Sequence, residues 1–237
     1  MRNSGGADRI TLTQKPFRSN PAETARLLRD LAGIIQLLDL PEGAQVLDVG
    51  CGTGWTSVYL ARQGYRVIGF DLAPDMIDIA RRRAEFEHVD DRCDFRVADS
   101  EDFDLGCTVD AVLVYETLHH VSDERAVLSN CFRHLKPGGR LVLGEPGWMH
   151  GLRERHVTRQ FGVTERGFLT RTLMSAVRQA GFTRISRLVP SHRPFMASPW
   201  QALRTSLLDL VYYFLLAGTH LQIWLVAEKP MSAGRMP

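Results

Sequence analysis

The chain has 237 residues, of which 44% are hydrophobic and 24% are charged. This length can bury a full core and suits one domain with an elaborated end. No run reaches the ~20 uninterrupted apolar residues that cross a bilayer, and the first residues lack the apolar stretch of a secretory signal. These features exclude a membrane-spanning protein and predict a cytoplasmic one.

The two parts of the chain differ in charge. Residues 1–150 carry 17 Lys and Arg against 23 Asp and Glu, whereas residues 151–237 carry 12 against 4. A basic end could attract an anionic molecule by electrostatic steering. Another explanation stays open, because arginine greatly outnumbers lysine and such a bias also arises from the nucleotide composition of a gene. No basic run with interleaved aromatic residues occurs, so nucleic acid is not expected as a partner.

The four cysteines are Cys51, Cys93, Cys107 and Cys131, and their spacing is not that of metal ligands. They fall in predicted strands, turns and helix faces, which is typical of reduced thiols. We expect neither a metal site nor a redox or nucleophilic role for them.

The first predicted element is an amphipathic helix. Residues 1–15 are expected to form a flexible leader, and Asn20 followed by Pro21 can cap and begin a helix. Apolar residues then recur at helical spacing as far as Leu38. The chain therefore opens with a leader and helix (1–40), ahead of a core (41–145) and C-terminal elements (146–237).

Strand and helix patterns then alternate, which predicts βαβ units and a parallel sheet. The predicted strands are 45–49, 66–70, 93–97, 109–115 and 140–145, and the predicted helices are 54–63, 74–86 and 122–135, the last beginning at Ser122. Beyond residue 145 the pattern predicts a loop, a helix near 166–180, a strand at 183–189, a hydrophobic helix at 200–216 and a strand at 220–228.

The most informative segment is the glycine-rich turn after the first strand, with Gly50, Gly52 and Gly54 at alternate positions. Glycine permits positive φ and removes the Cβ atom that would hold a ligand off the backbone. The spacing fits neither a phosphate-binding loop nor the dinucleotide motif G-x-G-x-x-G, which disfavours a nucleotide-dependent oxidoreductase. Asp71 ends the next strand about 20 residues later, the offset at which a carboxylate meets a ribose diol. Adenosine without pyrophosphate is implied.

Residues from about 44 to 145 resemble a class I S-adenosylmethionine-dependent methyltransferase, because further motifs follow in order. These are Phe95 to Ser100, Asp110 to His120 and Leu135 to Leu143. The resemblance implies an α/β fold with a doubly wound, Rossmann-like sheet of seven strands, ordered 3-2-1-4-5-7-6, with strand 7 antiparallel and a helical insertion between strands 6 and 7. It also implies that the N-terminal helix lies beside the cofactor mouth, as part of a lid or as packing for the sheet edge.

The resemblance implies S-adenosylmethionine as the cofactor. Asp71 would bind the ribose and Asp99 the adenine amine, unless both are ordinary turn residues. The residues implied to form the cofactor site are Asp48, Gly50, Cys51, Gly52, Thr53, Gly54, Trp55, Asp71, Leu72, Met76, Ala98, Asp99, Ser100, Tyr115 and Glu116.

Three histidines are the candidates for the acceptor side. Methyl transfer from a sulfonium needs alignment and exclusion of water, and a hydroxyl acceptor must also lose a proton. His119, His120 and His150 follow predicted strand ends, and histidine is a suitable base near neutral pH. One hypothesis makes His150 the base and Glu165 its orienting partner. The alternatives are a structural role for the His119-His120 pair and a helix cap at Glu165.

A second, weaker likeness lies beyond the fifth strand. Glu145 to His150, with Phe161 to Glu165, resembles methyltransferases associated with cell-surface glycan assembly. The expected reaction is O-methylation of a small molecule or glycan precursor, an anionic one if the basic end binds it. The alternative is a cofactor-binding regulatory or interaction protein without methyl transfer. The hydrophobic segment 200–217 could pack in the core or a lid, form a homodimer interface, or contact a membrane surface.

Overall fold

The helices and strands follow the recurrence of apolar residues along the chain. The computed structural model describes residues 14–18, 20–148, 150, 166–188, 200, 204, 207 and 222–231. Its helices there are α1 (Pro21–Leu38), α2 (Trp55–Arg62), α3 (Pro74–Phe86), α4 (Glu124–His134) and α5 (Thr170–Gln179), with short 3₁₀ turns at Asp90–Arg92 and Leu118–His120. Its strands are β1 (Gln45–Val49), β2 (Arg66–Asp71), β3 (Cys93–Val97), β4 (Val109–Tyr115), β5 (Leu135–Pro146), β6 (Thr183–Leu188) and β7 (Gln222–Glu228).

The seven strands form one sheet in the order β3-β2-β1-β4-β5-β7-β6. β1 pairs in parallel with β2 and β4, whereas β7 is antiparallel to both β5 and β6. The predicted strand order and the predicted direction of strand 7 are confirmed. The carboxyl ends of β1 to β5 meet at one edge of the sheet, which is the edge where open α/β sheets bind ligands.

Helices cover both faces of the sheet, so that the core has two halves. On one face Ile34 of α1, Val58 of α2 and Ile77 of α3 are fully buried. On the other face Leu128 of α4 and Leu173 of α5 pack against the strands. Each such aliphatic side chain contributes about 1.5–3 kcal/mol of hydrophobic stabilisation. The two halves hold the strand ends in fixed positions, which a binding site at that edge requires.

The start of α1 is where the sequence predicts it. The side chain of Asn20 accepts hydrogen bonds from the backbone N–H groups of Ala22 (3.0 Å) and Glu23 (3.4 Å). These bonds satisfy two of the amides that a helix N-terminus leaves without an intrahelical partner. Arg26 and Asp30 of this helix reach the carboxyl edge of the sheet through contacts described below.

The helix predicted at 122–135 starts later and ends earlier. Asp123 rather than Ser122 caps α4, because its side chain accepts from the amides of Arg125 (2.9 Å) and Ala126 (3.2 Å). The helix ends at His134 because Leu135 already belongs to β5, where it pairs with Val109. The predicted strand 140–145 is correspondingly too short.

The helix predicted near 166–180 begins only at Thr170. The preceding residues are extended, since the Arg166 amide donates to the His119 carbonyl (3.3 Å) and the Phe168 amide donates to the Pro146 carbonyl (3.2 Å). The predicted helix at 200–216 falls almost entirely outside the described residues. Over the described part of the chain, no helix combines the length and apolarity needed to span a membrane.

Candidate active site

The turn between β1 and α2 is shaped by its three glycines. Gly50, Gly52 and Gly54 have φ values of 69°, 53° and 69°. A Cβ at Gly50 would overlap the side chain of Thr117, and a Cβ at Gly54 would lie 2.7 Å from the Cβ of Ala80. At Gly52 a Cβ would meet nothing within 4 Å. Packing therefore explains two of the glycines, while Gly52 borders open space where a ligand can approach the backbone.

Asp48 anchors this turn from beneath. It is 2% exposed and accepts hydrogen bonds of 2.6 Å from the hydroxyl groups of both Thr56 and Ser57. Burial raises the pKa of Asp48, although the hydrogen bonds from Ser57 and Thr56 oppose that shift. Asp48 was predicted in the cofactor site. Its hydrogen bonds to Thr56 and Ser57 hold the start of α2 next to the glycine turn.

Asp71 joins the ends of two strands to the glycine turn. One carboxylate oxygen accepts from the Gly52 amide at 3.0 Å and the other from the Ala73 amide at 2.9 Å. Its carbonyl accepts from the Ala98 amide at 3.1 Å, which ties β2 to the end of β3. The half-buried Asp71 thus lies beside the open space at Gly52, where the ribose hypothesis requires a carboxylate.

The end of β3 places Asp99 at the surface. Its side chain accepts from the Glu101 amide at 2.9 Å, a turn-forming contact. Ser100 and Ala98 are half-buried on either side, Met76 is half-buried in α3, and Leu72 is 60% exposed. This position is compatible with both predictions for Asp99. Its side chain forms a turn, and an exposed carboxylate at this edge can also accept from an adenine amine.

Three other residues predicted in the cofactor site, Cys51, Thr53 and Trp55, are buried in the turn itself. Burial raises the pKa of the Cys51 thiol well above its ordinary value, and the nearby Asp48 adds to this shift. A thiol held in its neutral form is a poor nucleophile. Cys51 therefore acts as a small packing residue in this turn.

A network of charged residues lies at the end of β4. One terminal nitrogen of Arg26, Nη1, donates to Asp30 (3.0 Å), the Tyr115 hydroxyl (3.2 Å) and Glu116 (2.8 Å). Lys15 pairs with the other oxygen of Glu116 at 3.5 Å. Burial alone would raise the pKa of Glu116, but the cations of Lys15 and Arg26 hold it below its usual range. Burial also raises the pKa of Asp30.

A buried carboxylate organises the residues beyond β4. Glu145, at the end of β5, is 0% exposed. It accepts backbone hydrogen bonds from Thr117 and Leu118 (both 2.7 Å) and from His119 (3.3 Å). Nδ1 of His119 lies 2.9 Å from the same carboxylate. A neutral imidazole with its proton on Nδ1 can donate to a carboxylate here, and that tautomer has its lone pair on Nε2.

The three predicted histidines meet at this point. The ring centroid of His119 lies 3.8 Å from that of His120 and 5.1 Å from that of His150. His119 is buried, His150 is half-buried and His120 is exposed. The ring cluster of these three residues, which we call the histidine cluster, follows β4 and β5 at the same edge as the glycine turn. Glu165, the orienting partner predicted for His150, lies outside the described residues.

Sequence reasoning included Glu145 only in the candidate range 145–150 after the fifth strand and gave it no role, and it did not single out Arg26. Glu145 carried one signal, since it is an acid directly after the apolar residues that end β5. Arg26 carried none, because charged residues on an amphipathic helix are ordinarily solvated.

Comparisons with known proteins found a matching family model and curated relatives. Residues 46–139 match the family model of the methyltransferase domain. This part of the chain is therefore similar to a methyltransferase domain. A curated relative, the ubiquinone biosynthesis O-methyltransferase of Xanthomonas oryzae pv. oryzae, is 45% identical over 108 residues. That alignment covers 45% of this chain and 44% of the relative, so the chain matches less than half the length of this protein.

Solved structures with low identity share the fold of the methyltransferase domain. Haemonchus contortus phosphoethanolamine N-methyltransferase 2, in complex with S-adenosyl-L-methionine, has a TM-score of 0.71 at 20% identity over 97% of this chain and 59% of that one. The [4+2]-cyclase SpnF has a TM-score of 0.66 at 22% identity over 92% of this chain and 86% of that one. These likenesses confirm the class I methyltransferase fold.

Proposed function

We propose that the chain is an S-adenosylmethionine-dependent O-methyltransferase that acts on a hydroxyl group of a small molecule. The observation that carries this proposal is the pair formed by Glu145 and His119. A buried carboxylate that orients a histidine is the arrangement of a positioned base, and an O-methyltransferase must remove a proton from its acceptor. The pair lies at the same edge as the glycine turn and Asp71.

The strand order supports the proposed cofactor site. Adjacent strands of a sheet lie about 4.8 Å apart. The carboxyl ends of the side-by-side strands β3, β2, β1 and β4 lead to Asp99, Asp71, the glycine turn and Glu116, respectively. In this proposal Asp99 binds the adenine amine and Asp71 binds the ribose. Gly52 opens the turn to the rest of the cofactor, since it has room where a Cβ would stand.

The protein's own groups would do the following work. When bound, S-adenosylmethionine supplies a methyl group whose bond to sulfur breaks with the electron pair staying on sulfur, while a bond to the acceptor oxygen forms and the hydroxyl proton leaves. His119 takes this proton at Nε2. The Glu145 carboxylate, 2.9 Å from Nδ1, then stabilises the imidazolium. The rings of His120 and His150 contact the ring of His119 and lie next to it.

The name of the curated relative supports an oxygen acceptor on a small molecule. The fold alone does not, because the structural neighbours include an N-methyltransferase and a [4+2]-cyclase. The argument for oxygen therefore rests on the relative together with the oriented histidine.

The finer predictions about partners stay predictions. An anionic acceptor is supported by residues 166–188, which contain five arginines and no Asp or Glu. The glycan hypothesis depends on residues 145–150 together with residues 161–165, of which 149 and 161–165 lie outside the described ranges. The homodimer and membrane-contact hypotheses depend on residues 200–217, of which only 200, 204 and 207 are described. The relative's name favours a small-molecule acceptor over a glycan precursor.

The proposal is tested by binding and by turnover. Calorimetry should show binding of S-adenosylmethionine and S-adenosylhomocysteine and no binding of nicotinamide dinucleotides. A screen of small hydroxyl acceptors with labelled cofactor should then show label transfer. With an acceptor in hand, His119→Ala should lower single-turnover methylation by roughly 10²–10⁴-fold, the usual contribution of a positioned base, with cofactor affinity near that of the parent.

Two further variants make the test specific. His150→Ala should cost less than His119→Ala, because the carboxylate contact belongs to His119. His88→Asn, at an exposed position with φ of 55°, is the matched control and should leave turnover unchanged, since asparagine tolerates this conformation. If His150→Ala were the more damaging change, His150 would be the base; cofactor binding without transfer to any acceptor would favour the regulatory alternative.

A further inference from the structure

A groove lies between the N-terminal segment 14–18 and the helices α2 and α3, apart from the proposed active site. Its volume is about 420 Å³, which is within the range of small-molecule pockets. The described residues that line it include none from the glycine turn and none from the histidine cluster. A molecule in this groove would therefore be a further ligand, in addition to the cofactor and the acceptor.

The segment 14–18 is fixed to the helices, so that the groove has a firm wall. The Arg83 guanidinium of α3 donates to the Lys15 carbonyl at 2.9 Å. Near α1, the Arg18 amide donates to the Thr24 hydroxyl at 2.9 Å, and this hydroxyl donates to the Arg18 carbonyl at 3.1 Å. The Lys15 ammonium also pairs with Glu116 at 3.5 Å. These contacts hold the segment against α3 on one side and α1 on the other.

Aromatic and aliphatic side chains line much of the groove. Phe17 is 60% exposed and Phe86 is 81% exposed. Beside these two rings, Tyr59 and Ile79 are half-buried and Val58 is fully buried. Single exposed apolar residues are ordinary, but two exposed rings at one concave surface indicate a contact with another molecule. Rings of this kind favour a planar aromatic partner.

The charge of the groove is positive. Lys15, Arg82 and Arg83 line it together with one acid, Glu87. That acid already pairs with Arg62 at 2.6 Å. Burial lowers the pKa of Arg83, because part of its guanidinium is removed from water. An anion beside this group would compensate for the lost solvation, and the planar guanidinium fork matches a carboxylate.

We propose that this groove is a second binding site, for a small aromatic carboxylate. The ring of the ligand contacts the phenyl groups of Phe17 and Phe86. Its carboxylate binds the guanidinium groups of Arg82 and Arg83. A neutral aromatic molecule would leave the cations without a counter-charge, and an inorganic anion would leave both phenyl rings in water. The site is independent of the proposed methyl transfer, because it uses none of the residues assigned to that reaction.

The test compares three ligands that differ in one feature each. 2-Naphthoate carries two aromatic rings and a carboxylate, 2-naphthamide is its neutral counterpart, and decahydronaphthalene-2-carboxylate keeps the charge on saturated rings. Calorimetry uses the full chain with S-adenosylhomocysteine in excess, so that the proposed cofactor site is not available to these ligands. 2-Naphthoate should bind roughly 10-fold more tightly than the amide, and about 3- to 10-fold more tightly than the saturated acid.

Three variants locate the bound ligand. Arg82→Gln should lower the preference for 2-naphthoate over 2-naphthamide by about 3-fold or more, since only the carboxylate uses that charge. Phe86→Ala should weaken both naphthyl ligands by a similar factor and leave this preference unchanged, and its exposed ring is not needed for folding. Arg125→Gln makes the same charge change at an exposed position of α4, on the other face of the sheet. This matched control should change neither quantity.

Two results would overturn the proposal directly. One is no binding of 2-naphthoate to the folded parent, and the other is binding that Arg82→Gln and Phe86→Ala leave unchanged, which would place the ligand elsewhere. Binding that appears only in a chain without residues 2–13 would also overturn it and assign the groove to that segment. The proposed function is judged separately, by the binding of S-adenosylhomocysteine to the parent.

Discussion

The glycine turn and the histidine cluster share one edge of the sheet but are built in different ways. The glycine turn uses backbone shape, with three positive φ values and one half-buried carboxylate that accepts from two amides. The histidine cluster uses a single carboxylate, Glu145, which is fully buried and holds three backbone amides and an imidazole. The proposed binding at the turn depends on open space, whereas the proposed chemistry at the cluster depends on a fixed orientation.

The largest expected effect follows from the buried carboxylate. Glu145→Ala should lower the free energy of unfolding by about 3–5 kcal/mol or prevent folding, because it leaves buried amides of residues 117–119 without acceptors. Urea unfolding measures this loss. Glu101→Ala is the matched control, since Glu101 also accepts from two backbone amides, those of Ser122 (2.6 Å) and Asp123 (3.2 Å), but at the surface. Equal losses in the two variants would contradict the special position of Glu145.

How much of these two regions could be predicted from the sequence depends on how far apart the interacting residues lie along the chain. The glycine turn was predicted because Gly50, Gly52 and Gly54 form a local pattern, and Asp71 follows at a known offset. The strand order was likewise implied by motifs in sequence order and is confirmed. The role of Glu145 was not predicted, because its partners lie 26 to 28 residues earlier and meet it only when β4 and β5 pair.

The histidines show the same limit. Their types and strand-end positions marked all three as candidates, but the sequence could not show which ring faces a carboxylate. That choice depends on the short turn Leu118–His120, in which the amides of Leu118 and His119 donate to Glu145. Arg26 reaches Glu116 across 90 positions in the chain, and no local pattern encodes such a contact.

The next largest effect concerns Asp71, on the glycine-turn side. Asp71→Ala should weaken S-adenosylhomocysteine binding by roughly 10- to 100-fold, because two ribose hydroxyls lose their acceptor and the Gly52 amide loses its own. Calorimetry on protein shown to be folded measures this change. Asp71→Asn retains an acceptor oxygen and should lose less. A dissociation constant unchanged in both variants would remove Asp71 from the cofactor site.

A smaller effect tests whether open space at the turn matters. Gly52→Ala and Gly43→Ala place a methyl group at residues with φ of 53° and 82°, and in both cases the added Cβ meets nothing within 4 Å. Both variants should therefore show a similar backbone strain, about 1–2 kcal/mol in urea unfolding. Gly52→Ala alone should also weaken S-adenosylhomocysteine binding, by about 10-fold, because its methyl group enters the ligand's space. Equal affinity in the two variants would show that no ligand reaches Gly52.

The smallest effect lies at the opposite edge of the sheet, where no ligand is expected. Asp110, near the start of β4, accepts from Lys136 (2.7 Å) and from the Gln45 amide (2.9 Å). Burial tends to raise the pKa of Asp110, but these two hydrogen bonds outweigh it and hold the pKa below its ordinary value. The carboxylate therefore stabilises the fold above its unfolded pKa, and this stabilisation is lost as the pH falls through the lower folded pKa.

For the partly exposed Asp110, Asp110→Asn should cost about 1 kcal/mol or less at neutral pH. The difference from the parent in urea unfolding should shrink in acid, once the parent carboxylate is also protonated. Affinity for S-adenosylhomocysteine should not change, because the site lies at the other end of β4. A loss of affinity without a loss of stability would mean that the two edges of the sheet are coupled, and that the carboxyl edge does not act alone in binding.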